Sequence, residues 1–214
     1  MNDMISVPQE HAYDRVVAEI SQLGFENLSR AGISQVAWAY YFFSIQFREN
    51  LQIACRLYPD EPAISRLREE ECGTDNLSPW PGVAQPGEKM DHDEFMRRVL
   101  LLTPIDQGVQ KRIEDAGRAY LERTRAMDDR VRAMSISSYE NGGLEAVFTA
   151  MLRCQYSDTP LLEAFRHFLV RHIGFDSDPD EGHGALVRHI APDDRIMPLW
   201  AEFRDLLVKS VPGL

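Results

Sequence analysis

Apolar positions recur along this chain at steps of three and four residues, the spacing that gathers side chains on one face of an α-helix. Tyr13, Val16, Val17, Ile20 and Leu23 mark a first amphipathic helix. Ser34 is placed to cap a second, which carries WAYYFFSIQFRENLQIACRL and stops before Pro59. Pro62 suits the first turn of a third, EPAISRLREEEC, and Gly73 suits its end. From Thr74 to Met90 the prolines and glycines of TDNLSPWPGVAQPGEKM predict the longest loop, of a length that often serves as a lid. Asp91 and Glu94 have the spacing of a capping box ahead of DHDEFMRRVLLL. Helical periodicity returns from about Gln107 to Met134 and, after a break at SISSYENGG, from about Asn141 to Cys154. Thr159 and Pro160 open LLEAFRHFLVRHIGF, and a last helix covers about Pro198 to Lys209. Two-residue alternation is scarce, and no repeat or low-complexity linker divides the chain. The pattern predicts an all-α bundle of seven to eight helices, one domain over residues 1–214.

Charge narrows the choice of partners. With 34 acidic and 23 basic residues the formal net charge is −11, which argues against nucleic acid and anionic membranes as partners. No apolar run reaches the roughly 18 residues of a membrane span. The start, MNDMISVPQEHAYDR, lacks the basic and apolar regions of a secretory signal. Cys55, Cys72 and Cys154 are an odd, widely spaced set with no CxxC pair, so a reducing cytoplasm is the expected setting.

The chemistry-bearing residues are acids and histidines on separate helices, as a metal centre inside a bundle needs, because one helix cannot encircle an ion. Carboxylates can bridge two ions and offset their charge, and imidazoles add nitrogen donors. LREEECG ends one helix with Glu69, Glu70 and Glu71, three acids at the C-terminal end where the helix dipole disfavours them. His92 begins the next helix. Glu145 lies in the apolar run GGLEAVFTAM, where an acid either faces water or is buried with a partner. His172 and Asp176 are four residues apart on one face, about 6 Å along the axis. Taken alone, each has an ordinary reading as a surface charge or a packed imidazole. His183 follows in HIGFDSDPDEGHG. On an unbroken helix it would share the direction of His172 to within about 40°, yet lie about 16.5 Å farther along, too far for ions about 3.5–4 Å apart. Pro179 breaks that helix, so SDPD, Ser177 to Asp180, is expected to loop out and return His183 to the neighbourhood of Asp176. Asp180 is the competing ligand if the break falls earlier.

The order of these residues, an acid before a histidine-led helix, a later helical glutamate, then HIxxD followed by HG, resembles the heme-oxygenase-like diiron oxidases. The resemblance spans about Trp38 to Leu207. It implies a heme-oxygenase-like bundle holding two Fe(II) ions that activate dioxygen, the co-substrate, against a small carboxylate-bearing metabolite of amino-acid or fatty-acid type. An external electron donor and a homodimer are compatible with it, and manganese is the alternative metal. The ligands it implies are Glu71, His92, Glu145, His172, Asp176 and His183. Glu70 is the substitute for Glu71, and Glu49 an additional candidate. The six residues between Asp176 and His183 depart from the two of the resembled pattern. For a substrate, the aromatic run including Tyr41 is a candidate pocket wall, and Arg48, Arg153 and Arg171 are candidate carboxylate anchors.

Two other readings use the same bundle. One is a metal-free enzyme similar to thiaminase II or the PQQ-forming oxidase, with Cys154 in MLRCQY as nucleophile. The other is a non-catalytic effector or regulatory binding protein. A heme-binding role is disfavoured because His11 has little around it to support a proximal ligand.

Overall fold

A computed structural model describes residues 11–176, His183 and 191–214, with the Asp176 side chain excepted. Among these residues the chain is an all-α bundle without strands. The helices are α1 (Ala12–Ser21), α2 (Arg30–Leu57), α3 (Pro62–Glu71), α4 (His92–Leu100), α5 (Gln107–Arg125), α6 (Asp129–Ser138), α7 (Leu144–Met151), α8 (Pro160–Asp176) and α9 (Met197–Ser210). A π-turn, Tyr139–Gly143, joins α6 to α7, so these two form one kinked rod. The expected bundle of seven to eight helices is present in that sense.

Helix α2 is the axis of the molecule. Its 28 residues span about 42 Å, and α3, α4, α5, α6, α8 and α9 all pack on it. That explains the aromatic run WAYYFF, since a helix surrounded by others is apolar on most of its circumference. Tyr40 meets the rings of Phe43, Phe148, Phe165, Phe168 and Phe203 at centroid distances of 5.4–6.4 Å. At Gly117, α5 comes so close to α2 that a Cβ would sit 2.3 Å from the Phe42 ring.

Several boundaries differ from the sequence expectation. The cap of α2 is Ser29, whose hydroxyl accepts from Gly32 N at 3.2 Å; Ser34 is inside the helix and donates back to Arg30 O. Both serines have capping chemistry, and burial against the neighbours extends the helix to the earlier one. The long stretch after Gln107 also breaks earlier than expected, at Ala126–Asp128, where Asp128 caps α6; the break expected at SISSYENGG is present as the non-helical residues Asn141 and Gly142 at its end. Asp91 precedes α4, but its side chain accepts from Gly73 N at 2.9 Å, and Glu94 pairs with Arg97 and Arg98, so the capping box does not form.

The loop from Thr74 to Met90 is tied at its ends by reciprocal backbone hydrogen bonds of 3.1 and 2.9 Å between those two residues. Its own Leu77, Val83 and Ala84 are buried. It holds α3 and α4 in register, which sets the spacing between Glu71 and His92. No helix among the described residues is long and apolar enough to cross a membrane.

Candidate metal centre

Four segments carry acids and imidazoles into the same part of the interior. Glu71 is the last residue of α3 and His92 the first of α4; both are buried. His172 lies on the buried face of α8, stacked on Phe168 at 4.0 Å, and His183 is buried beyond that helix. The fourth segment is the π-turn, whose second residue, Glu140, is 3% exposed. Gly142 (φ +90°) completes that turn in a conformation suited to glycine. Gly143 lies where a Cβ would strike Ser138 O at 2.3 Å and Trp200 at 2.7 Å.

These residues form two groups of potential ligand atoms that share Glu71: Glu71 with His92 and His172, and Glu71 with Glu140 and His183. In the first, Glu71 Oε2 is 2.7 Å from His92 Nδ1, which is 2.9 Å from His172 Nε2. In the second, His183 Nδ1 is 3.3 Å from Glu71 Oε1 and 3.0 Å from Glu140 Oε2. One carboxylate therefore faces both groups, one oxygen to each.

The proton positions follow from the surrounding hydrogen bonds. His172 Nδ1 lies 2.8 Å from Phe168 O, a carbonyl that can only accept, so Nδ1 carries the hydrogen. Burial, then the neighbouring His92, lowers the His172 pKa to about 3, so the ring is neutral and Nε2 presents a lone pair. Asn76 Nδ2 donates to Glu70 O at 2.8 Å, which fixes the amide so that Oδ1 faces His92 Nε2 at 2.9 Å. His92 Nε2 is then the donor, and Nδ1 is turned to Glu71 and His172. Two imidazole nitrogens and a carboxylate oxygen thus converge with their donor hydrogens directed outward. Such a cluster is held together only by a cation between its members, a proton or a metal ion. Outer hydrogen bonds that orient the imidazoles in this way are the usual support of metal ligands.

The second group has similar support. Glu70 Oε2 lies 3.0 Å from His183 Nε2, while Glu70 Oε1 accepts from Arg66, so Glu70 stands behind His183 and outside the two groups. Glu71 Oε1 is buried and makes no hydrogen bond among the described residues. Burial alone would raise the Glu71 pKa, but His92, and after it His183, hold it below the usual carboxylate range. A buried carboxylate kept ionised with an unsatisfied oxygen fits a cation site. These buried histidine and glutamate groups can hold a metal ion.

Of the expected ligands, Glu71, His92, His172 and His183 come together, and Glu145 does not. It lies outside both groups, half-exposed on α7, in a row with Asn141 and Thr149, which face solvent. The π-turn rotates the rod so that Leu144, Val147, Phe148 and Met151 turn inward, and the acid this rod contributes is Glu140. The sequence gives no local signal for Glu140: it stands just before the break, and the non-helical Asn141 and Gly142 interrupt the row that would join it to the apolar face of α7. Glu49 pairs with Arg125 at 2.5 Å and Arg132 at 3.2 Å, away from both groups. The Asp176 side chain, Asp180 and the Ser177–Asp180 loop lie outside the described residues.

A small recess opens beside the first group. Glu71, His92, Glu140 and His172 line it together with Tyr40, Phe47, Leu144, Phe168, Ser44, Cys72, Arg48 and Asp93. The expected substrate contacts fall elsewhere. Arg153 donates to Ser21 O and Leu23 O at 2.8 and 3.0 Å and pairs with Glu26, which fastens the end of α1. Arg171 donates to Asn76 O at 3.0 Å and covers the Phe175 ring. Half-buried Tyr41 packs on Phe42 at 5.4 Å and is not part of the recess lining. Long side chains on the outer rows of their helices found nearer partners, whereas Arg48 reaches the recess. Cys154 lines a different recess, with Ile33, Tyr156 and Leu162.

Comparisons of the chain with protein-family models, with curated proteins and with solved structures gave no match.

Proposed function

We propose that the protein is a non-heme, two-iron oxidase or oxygenase that uses dioxygen on a small carboxylate-bearing metabolite. The observation that carries this reading is the division of Glu71: Oε2 faces His92 and His172, and Oε1 faces His183 and Glu140. A carboxylate with one oxygen in each of two ligand groups is the natural bridge of a dinuclear centre.

Glu71 would hold both ions, His92 and His172 would complete one site, and His183 and Glu140 the other. Mixed imidazole and carboxylate donors suit iron, with manganese the alternative. When bound, two ferrous ions supply the electrons that let dioxygen react, and an external donor restores them. The chain's own part is positional. Phe168 O and the Asn76 amide fix the imidazoles, and Glu70 stands behind His183. Tyr40, Phe47, Leu144 and Phe168 give the recess apolar walls that keep bulk water from the reacting atoms. Cys154, the nucleophile of the metal-free reading, lines a separate recess from the ligand groups.

Anaerobic ferrous loading followed by metal analysis tests the proposal. About two irons per chain are expected, with a visible absorption on exposure to oxygen that is lost in His172→Ala. Iron content below one per chain, or unchanged uptake and absorption in the variant, would overturn it.

A further inference from the structure

The π-turn that carries Glu140 is held from outside the α6–α7 rod by one side chain. Within the turn Asn141 (φ −87°, ψ 53°) and Gly142 (φ +90°) leave helical geometry, and Leu144 N reaches back five residues to Tyr139 O. Wide turns of this kind are rare in helices and persist where their surroundings impose them. Trp200 on α9, which is fully buried, meets the turn on both sides of Glu140. Its Nε1 donates to Ser138 Oγ at 3.1 Å, on the residue before the turn. Its ring meets that of Tyr139, the first residue of the turn, edge-on at 4.9 Å. Its far edge covers Gly143, the last residue, so closely that a Cβ there would lie 2.7 Å from Cζ2. Ser138 Oγ gives its own hydrogen to Ser135 O at 2.8 Å, which continues the contact into α6. Glu140 stands between these fixed points and faces His183, at 3.0 Å.

We infer that Trp200 is a positioning residue for Glu140: it clamps the π-turn before and after the acid and so builds the second ligand group without belonging to it. Trp200 is in neither ligand group and does not line the recess, so it acts on the centre through the turn. The reason is geometric. Metal–donor distances tolerate only about 0.2 Å. A turn released from the clamp can exchange its wide hydrogen bond for regular i→i+4 bonds, which moves Glu140 by more than that. Glu71, His92 and His172 stand on α3, α4 and α8, and their group does not depend on the turn. This deepens the function proposed above and rests on it in taking Glu140 as a ligand.

The test is anaerobic ferrous loading of the 214-residue chain, with bound ions counted by native mass spectrometry and affinities read by chelator competition. Trp200→Phe stays aromatic but removes the Nε1 donor and the ring edge over Gly143. It should weaken the second ion about 10–100-fold, the range for outer residues that orient a ligand, and leave the first within about twofold. Ser138→Ala removes the same hydrogen bond from its other end and should act in the same direction. The double variant should be no weaker than Trp200→Phe alone, because both changes act through one contact. Leu207→Ala is the control for a merely structural role: it is equally buried, two turns farther along α9, and should lower the melting temperature while both ions stay bound. Two ions held with parent affinities in Trp200→Phe and Ser138→Ala overturn this inference and leave the two-iron reading standing. A parent chain that takes up no iron sinks that reading, and the clamp is then decided without metal. Crystal structures of the metal-free parent and Trp200→Phe should show Glu140 drawn away from His183 in the variant; an unmoved Glu140 overturns the inference. Should Trp200→Phe fail to fold, the milder Ser138→Ala carries the same comparisons.

Discussion

Glu71 offers its two oxygens to different neighbours, so its loss and the loss of Glu140 should have different consequences. Glu71→Gln removes the shared charge, and both ions should be lost; Glu140→Gln touches one group only, and about one ion should remain. Metal content by mass spectrometry after anaerobic loading distinguishes the two outcomes, and equal losses would count against a shared carboxylate. Asn76 acts one step farther out. Its amide, fixed by Glu70 O, directs the His92 Nε2 hydrogen away from the centre. Asn76→Ala should lower metal affinity about 10–100-fold, the usual cost of removing an outer-shell partner, while the protein stays folded. Competition with a chelator measures this. At this scale the sequence was informative about residue type: acids and histidines on separate helices were visible as candidates. It was less informative about rotation, because Glu140 and Glu145 differ by five positions and only the π-turn decides which faces inward.

Helix boundaries matter here because they set rotation and reach. The α6–α7 rod carries Glu140 at its kink, and the α3–α4 connection carries Glu71 and His92 at its two ends. The second was partly readable from Pro62, Gly73 and the proline-rich loop. Ser29, Asp128 and the π-turn were not, since Ser34 and SISSYENGG offered equally plausible local signals and the choice depends on what each turn packs against. The close approach of α5 to α2 at Gly117 is similarly invisible in one chain. Gly117→Ala drives a methyl into the Phe42 ring and should destabilise by about 1–3 kcal/mol, the usual cost of overpacking. Chemical denaturation should show a lower midpoint at unchanged slope. An unshifted midpoint would mean that the two helices separate without cost.

For the whole molecule, pH and metal act on stability through different parts of the interior. Tyr120 is buried and donates to Gln46 Oε1 at 2.8 Å, and burial, with Tyr139 beside it, pushes the phenol well above its ordinary 10. The unfolded chain therefore loses this proton before the folded one does. The contribution is fully present below pH 10 and is lost as pH rises above it. Thermal melting across that range should show a fall that is smaller in Tyr120→Phe. Metal has the opposite effect. An ion that binds the assembled ligand groups and not the unfolded chain stabilises the fold, by about 2.7 kcal/mol when free metal exceeds its dissociation constant a hundredfold. Melting with and without ferrous ion under anaerobic conditions measures it, and a chelator should reverse the gain.

The sequence alone determined the helical class, because apolar spacing is a local property that every turn of α2, α4, α5 and α8 repeats. It also determined which residue types could supply a metal centre, because acids and imidazoles set in helical runs are costly to bury without a partner. Only the tertiary structure decided which of them meet. Convergence depends on the rotation of each helix about its axis and on the contacts that fix it: the π-turn that turns Glu140 inward, the Asn76 amide that orients His92, and the loop that sets Glu71 against it. Those contacts join residues far apart in the chain, and no local pattern encodes them.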